Sequence, residues 1–476
     1  MAEVATLYAA ETALEGLAVS AFAVSKSTAP LTVRFHKLKD PSPNSELARS
    51  SHTLNVVKAK AYIYGGDLRS GVSDPYVHVV TLPSGGQTGE GELHYQRVEP
   101  KVKERALEGY ATVEETGEPN ETENGKAGEN QNLIPDSRAC HASTAIGPVI
   151  YIFGGRYPSE SAAHPLRENG TVHAFNTETG TWETLRPHRT KCADGVPKAR
   201  IYASMSSSEH PRPGVGEARV GGHGTLFLHG GRNYHGRVMR DCWAFDVSGR
   251  TWSQWPSVPD VVGEGEVEGE GRVACTGGRL YRVGDGWGRV EWLELVREDI
   301  DDFSGKGEWG IGLKSGVWER EVEGTMERLE VKEVGEPSKL PLTKVEDMPV
   351  PRRGYGMLPI TTGAGREYLL MLLGEDGKGE MLRDVWSFQI KSEKKTPAVL
   401  KDSIRSALGR QSGENAWARA NVVESTKDEG PVEVPGGLSR FAIDGWRDLG
   451  AGGIVMFGGK NAKGDILGDG WLLVVE

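Results

Sequence analysis

The sequence predicts an all-β protein assembled from six copies of one four-stranded unit. Three observations carry this. Glycine makes up 64 of 476 residues, well above the usual ~7%, with no collagen-like period, so it serves turns. A short aromatic and β-branched run ending in Gly-Gly recurs along the chain. After each run stands a second strand-like segment with an aromatic residue at its centre.

The recurring run reads Ala61-Tyr-Ile-Tyr-Gly-Gly66, Val149-Ile-Tyr-Ile-Phe-Gly-Gly155, Thr225-Leu-Phe-Leu-His-Gly-Gly231 and Gly453-Ile-Val-Met-Phe-Gly-Gly459. Two degenerate copies are Arg279-Leu-Tyr-Arg-Val-Gly-Asp285 and Tyr368-Leu-Leu-Met-Leu-Leu-Gly-Glu375. Each reads as a buried strand stopped by a turn that needs positive φ or close backbone approach. The element that follows is clearest in Asp241-Cys-Trp-Ala-Phe-Asp-Val247, Asp384-Val-Trp-Ser-Phe-Gln-Ile390 and Asp469-Gly-Trp-Leu-Leu-Val-Val475. Gly180-Thr-Trp-Glu-Thr-Leu185 and Gly249-Arg-Thr-Trp-Ser-Gln-Trp255 supply an outer strand after a tight turn. An innermost strand opens with arginine, as in Arg49-Ser-Ser-His52 and Arg138-Ala-Cys-His141, and at Arg200, Arg272, Arg353 and Arg440.

Arg-x-x-His, a hydrophobic run with Gly-Gly, an aromatic strand and a Gly-x-x-Trp-like end together resemble the kelch repeat of the galactose-oxidase-type propeller superfamily. The resemblance covers 31–476 and implies a six-bladed β-propeller with one four-stranded sheet per blade. The blades fall near 49–100, 138–186, 200–256, 272–318, 353–420 and 440–476. The chain ends after the third strand of the last blade, so Leu31-Thr-Val-Arg-Phe-His-Lys-Leu38 is expected to supply the fourth and close the ring, removing a free edge. A seventh blade would need a repeat hidden in 298–345, around Trp309 and Trp318. Length beyond a bare repeat of about 50 residues is assigned to loops at 101–134, 205–222, 259–270, 298–345, 391–416 and 424–437. Residues 1–30 form a separate N-terminal segment, Ala-rich and expected to be helical over 3–25.

Charge and cysteine usage bound the function. A net charge of -11 disfavours general affinity for nucleic-acid phosphates and for anionic membrane surfaces. Cys140, Cys192, Cys242 and Cys275 stand far apart without a C-x-x-C pair, as expected of reduced thiols in the cytoplasm or nucleus. Leu14 to Val24 is apolar but preceded by Glu3 and Glu11 rather than by a basic residue, unlike a signal or transit peptide. No stretch approaches the length of an apolar membrane span.

Catalytic chemistry lacks a signature. The twelve histidines all lie between His36 and His235. His52 and His141 occupy the kelch pattern's own histidine position, and the spacing of His223, His229 and His235 is no familiar zinc pattern. Copper radical oxidases resembling galactose oxidase need late-blade histidine ligands, which are absent after His235. The Glu-x-x-x-Asp-x-x-x-His iron motif of plant specifier proteins is missing too. Kelch-bearing tRNA methyltransferases carry a preceding domain for which about 30 residues leave no room. There is no G-x-S-x-G elbow and no P-loop. The acidic run Gly263 to Glu270 lies in an expected flexible loop, unable to hold two carboxylates at a glycosidase separation. No catalytic residue, metal or cofactor is therefore assigned.

The arginines are the candidate binding set. Ring closure turns a sequence repeat into a spatial cluster, placing Arg49, Arg138, Arg200, Arg272, Arg353 and Arg440 around one mouth of the central channel, with Arg156 and Arg232 after Gly-Gly nearby. Arginines left unpaired there suit carboxylates or phosphates through forked contacts; those paired to acids such as Asp241, Asp384 or Asp469 would be structural. Kelch domains that capture acidic peptides use arginines at such positions, which the resemblance carries over to this chain. The expected function is a non-catalytic scaffold binding an acidic protein segment or an anionic ligand at the mouth. The alternatives are a small-molecule enzyme or binder in the channel mouth flanked by His229, Tyr234 or His235, and an accessory role in RNA modification.

Overall fold

The computed structural model describes residues 30–476 apart from 39, 43–45, 72–73, 84–92, 103–133, 159–163, 189–191, 193–194, 213–221, 259–269, 285–287, 301–307, 323–324, 330–347, 364, 392–396, 408–412, 424, 427–429, 432–433 and 447–452. The expected helix over 3–25 lies outside the described residues. Six antiparallel sheets stand in a ring, each with its first strand innermost. Blade 1 is Thr53–Val57, Lys60–Tyr64, Val77–Thr81 and His94–Val98. Blade 2 is Ala142–Ile146, Val149–Phe153, Val172–Asn176 and Thr181–Leu185, and blade 3 is Ser204–Ser208, Thr225–His229, Cys242–Asp246 and Thr251–Trp255. Blade 5 is Gly356–Thr361, Glu367–Leu372, Val385–Gln389 and Trp417–Arg419.

Blade 6 closes the ring as the sequence requires. Ala442–Gly445, Gly453–Phe457 and Gly470–Val475 are completed by Thr32–Leu38, which runs antiparallel to the last strand with Val33 opposite Val475 and Leu38 opposite Gly470. Asn421–Val423 adds a parallel fifth strand outside it.

Blade 4 departs from the others. After Arg272–Thr276 and Arg279–Val283, its third strand runs on as Val290–Ile300 and pairs with both Glu308–Leu313 and Trp318–Val322. Part of the stretch expected as loop over 298–345 is thus extended hairpin, and its described residues form no seventh blade. Trp318 is buried and donates its Nε1–H to Pro256 O at 2.8 Å. Trp252 of blade 3 makes the corresponding bond to Gly170 O of blade 2 at 2.8 Å. An outer-strand tryptophan that reaches the preceding blade is therefore a recurrent tie, and Trp318 fills that role for blade 4.

The expected loops at 391–416 and 424–437 need correction. Pro397–Ala407 is a helix, the one helix among the described residues. Proline suits its first turn, where an N–H has no intrahelical acceptor anyway. Its Asp402 is buried against Arg366, with bonds of 2.8 and 2.7 Å, and against Gln389 Nε2 at 3.0 Å. Ser425–Thr426 pairs with Gly430–Pro431 as a small hairpin.

The core lies between blades. Leu54, Ile63 and Val80 of blade 1 pack on Val455, Phe457 and Leu472 of blade 6, and Tyr64 and Val79 pack on Ile152, Phe175 and Trp182 of blade 2. Every sheet is sandwiched between two neighbours, so closure leaves no blade face bare. The Gly-Gly turns make this approach possible. Gly155 has φ 98°, and a Cβ there would stand 2.8 Å from Ala139 O and 2.9 Å from His141 Cβ. Gly155→Ala is expected to lower stability by about 2 kcal/mol or more, through strain and overlap together. An unchanged urea midpoint would show that the turn yields freely.

Candidate functional site

Three of the repeat arginines, Arg49, Arg138 and Arg200, are fully buried, and each is spent on its own blade. Arg200 donates to Asp241 through both Nη atoms, at 2.7 and 2.8 Å, and to Gly230 O at 2.9 Å. Arg138 grips Glu168 at 2.8 and 2.8 Å and Gly154 O at 3.0 Å. Arg49 reaches Asp74 at 3.1 Å and Gly65 O at 2.9 Å. In blade 5 the same place belongs to Arg352, bound to Asp384 at 2.7 and 3.1 Å and to Leu373 O at 3.0 Å. Each side chain thus ties the start of the innermost strand to the end of the second and to the acid before the third. Arg49, Arg138 and Arg200 do not line the mouth.

Arg353 sits one residue past this slot, in a two-residue strand paired with Glu375–Asp376. Arg272 is the first residue of its strand, opposite Val283, and Arg440 lies two residues before the corresponding start at Ala442. The sequence motif therefore merges four registers. Blade 6 has Leu438 in the lock position, which is buried.

A ring of backbone bonds narrows the channel at the arginine end. Ser51, Cys140, Tyr202, Gly354 and Arg440 all adopt φ between 56° and 60°, which turns their peptide groups toward the neighbouring blades. Cys140 N–H donates to Ser51 O, Tyr202 N–H to Cys140 O, Ser51 N–H to Arg440 O and Arg440 N–H to Gly354 O, all at 2.7–2.8 Å. Blade 4 interrupts the series: the Gly354 N–H donates instead to the Glu270 carboxylate at 3.1 Å. Glu270 is buried at 7% exposure, not carried in a loose acidic loop; 259–269 lie outside the described residues.

Side chains fill the centre of this ring. Arg440 of blade 6 stacks over Tyr202 of blade 3, the opposite blade, at 4.5 Å. Its nearest carboxylate contacts are Glu375 at 3.6 Å and Glu270 at 4.0 Å. Burial works against its charge, but Glu270, Tyr202, Cys140 and Glu375 outweigh burial and hold its pKa above the ordinary arginine value. Burial pushes the Cys140 thiol up, with Arg156 opposing, so it is no activated nucleophile. Beneath the ring a cavity of about 590 Å³ runs down the innermost strands from Ser51, Tyr202, Glu270 and Arg440 to Lys58, Gly147, Glu209 and Pro359. Neighbouring blades close its walls with hydroxyls: Ser204 Oγ accepts from Val273 N–H at 3.0 Å and Ser206 Oγ from Cys275 N–H at 2.8 Å.

Arg156, Arg232 and Arg353 are not among the residues lining this cavity. Arg156 donates to both oxygens of Asp67, at 2.9 and 2.7 Å, and Arg232 to Gly236 O at 3.0 Å. Near them Tyr157 is 44% and Tyr234 48% exposed. Tyr234 stacks on His164 with ring centres 4.3 Å apart, and Arg167 lies 5.6 Å from its centre.

The histidines are placed structurally. His229 is buried, accepts from Arg282 Nε at 2.8 Å and donates from Nδ1 to Asp241 O at 3.1 Å. His141 meets Thr53 Oγ1 at 2.8 Å, whereas neither ring nitrogen of His52 has a hydrogen-bond partner. His229, Tyr234 and His235 do not flank the cavity. Among the described residues no group of three His, Cys, Asp or Glu side chains is placed to hold a metal ion, and no helix is long and apolar enough to cross a membrane. Sequence reasoning missed Arg352, Glu270 and Tyr202. Arg352 had a signal in its adjacency to Arg353, and Tyr202 in its place two residues after Arg200; Glu270 had none.

Residues 137–189 match the Kelch motif. Together, the ring, the blade locks and the motif match define a six-bladed β-propeller that carries a Kelch motif, an architecture consistent with a protein-interaction scaffold. Kelch domain-containing protein 3 of Bos taurus is 33% identical over 150 residues, covering 32% of this chain and 35% of that protein. Kelch domain-containing protein 2 of Bos taurus is 29% identical over 121 residues, 25% of this chain and 23% of that protein. The matched stretch thus spans about a third or less of the length of these curated relatives. The solved structure of YjhT aligns with 90% of this chain and 97% of its own at 12% identity and a TM-score of 0.45.

Proposed function

We propose that this protein is a non-catalytic interaction scaffold that takes an acidic protein segment across the outer face of blades 2 and 3. The observation that carries the reading is the pair of half-exposed tyrosines, Tyr157 and Tyr234, beside Arg156 and Arg232. Tyrosine and arginine dominate binding energy at protein interfaces, because they bring large contact area with few rotors and directed donors. Arg353 extends the cationic surface toward the axis, while Arg138 and Arg200 are withdrawn from it by burial and their ion pairs. The four cysteines are unpaired thiols, compatible with the cytoplasm or nucleus as the setting.

The test is titration of a fluorescein-labelled Asp/Glu-rich peptide followed by anisotropy. Tyr234→Ala combined with Arg232→Glu is expected to weaken binding by about thirtyfold, equivalent to the ~2 kcal/mol typical of an interface hot spot. Added salt should weaken the wild-type complex through screening. Equal affinity for wild type and double variant would remove this face from consideration.

A further inference from the structure

We propose that the closed end of the channel is a separate binding site for a small organic monocarboxylate, entered from the face opposite the outer arginines. The site is built on Arg272 and Arg440, which differ in kind from the blade-lock arginines. Arg138, Arg200 and Arg352 each engage a carboxylate through two hydrogen bonds of 2.7–3.1 Å. Neither Arg272 nor Arg440 donates a side-chain hydrogen bond to any described residue. Their carboxylate contacts are long: 3.7 Å from Arg272 to Glu270, and 4.0 and 3.6 Å from Arg440 to Glu270 and Glu375.

Both guanidinium groups are held by aromatic rings. Arg272 lies 5.6 Å from the centre of Tyr355, and Arg440 lies 4.5 Å from that of Tyr202. Stacking engages the face of a guanidinium and leaves its in-plane N–H groups to find acceptors elsewhere. Arg272, Arg440, Tyr202, Tyr355 and Glu270 all line the cavity. The Arg272 and Arg440 side chains keep 32% and 21% exposure. Glu270 and Glu375 balance the two guanidinium charges, but Arg272 Nε and Arg440 Nη1 have no hydrogen-bond partner, so the open donors suit one carboxylate rather than a multiply charged anion. Glu270, anchored by the Gly354 N–H, repels a second negative charge. A volume of about 590 Å³ lies within the range of small-molecule sites.

The direction of entry follows from the lining. At the arginine end the backbone ring and the Arg440–Tyr202 stack span the axis, and Arg156, Arg232 and Arg353 lie outside the cavity. At the other end the lining reaches Lys58 and Glu178, a rim pair 3.1 Å apart with 76% and 57% exposure.

Anthranilate, a small fluorescent monocarboxylate, is the probe. It is expected to bind wild-type protein saturably and to be displaced by propionate but poorly by phosphate. Arg272→Met and Arg440→Met should each weaken it at least about tenfold, as loss of a charge-assisted contact does. Arg440→Lys, which keeps the charge and loses the fork, should fall between. Glu178→Lys on the rim should speed association, whereas Arg232→Glu should leave it unchanged. Absence of saturable binding by wild type at millimolar anthranilate, or binding unaltered in a folded Arg272→Met, Arg440→Met double variant, overturns the site. Faster association only on changing the outer face overturns the direction of entry. Because Tyr234→Ala, Arg232→Glu should lose the acidic peptide and keep anthranilate, failure of either reading is distinguishable from failure of the other.

Discussion

Arg200→Met is expected to lower the unfolding free energy by about 3–5 kcal/mol, the usual cost of leaving one partner of a buried ion pair alone. The Arg200 side chain is fully buried and Asp241 is 18% exposed. Burial by itself raises the Asp241 pKa, but the Arg200 fork, and after it the Trp243 Nε1–H at 2.7 Å, reverse this and hold it below the usual range. Removing the guanidinium leaves the carboxylate with one donor and also frees Gly230 O, the acceptor that ties the second strand to the first. The double change Arg200→Met, Asp241→Asn retains an acceptor for Trp243 and removes the stranded charge. It should therefore cost less than the sum of the two single changes, and less than Arg200→Met alone. Urea midpoints measure all three variants. A strictly additive result would mean that Arg200 acts by packing and not through the pair.

The same pair marks how far the sequence could be read. The ring, its six blades and its closure were legible because each rests on hydrophobic periodicity punctuated by Gly-Gly, and strands of this kind fail if the pattern slips by one residue. The lock arginines were not separable from their neighbours, since moving an arginine from the lock place, four residues before the strand, by one residue (Arg353), two (Arg440) or four (Arg272, the strand's first residue) leaves the hydrophobic pattern intact. What divides them is partnership with an acid some 25–41 residues away, and no local signal carries that. Glu270 was hidden for a related reason: it terminates a Glu-Gly run whose composition reads as solvated loop, yet its carboxylate replaces a missing backbone acceptor in the inner ring. The helix Pro397–Ala407 gives little helical signal in the sequence because its buried side is polar, held by Asp402 to Arg366 and Gln389, while Leu400 and Ile404 are exposed.

Acid should weaken this protein well before its carboxylates begin to protonate. His141 and His229 are buried, and burial, reinforced by Arg138 beside the first and Arg282 beside the second, pulls each from 6.5 to about 3. In the folded state both stay neutral from neutrality down to that value, whereas in the unfolded chain both take up a proton below about 6.5. The unfolded state therefore binds more protons throughout this window, and stability falls as pH falls. Each histidine contributes roughly 1.4 kcal/mol of loss per pH unit once the unfolded form is charged. Asp74, drawn down to about 2 with its strongest support from His78, and Asp241 and Asp384, also lowered, act in the same direction. Their share begins only below about 4, where the unfolded carboxylates protonate first. Urea midpoints taken between pH of about 7 and about 5 isolate the histidine contribution. His229→Asn, which removes the titrating ring while offering Arg282 an acceptor, should reduce the slope by about 0.7 proton averaged over this window, and adding His141→Phe by as much again. A slope unchanged in the double variant would place the acid sensitivity in groups other than these two.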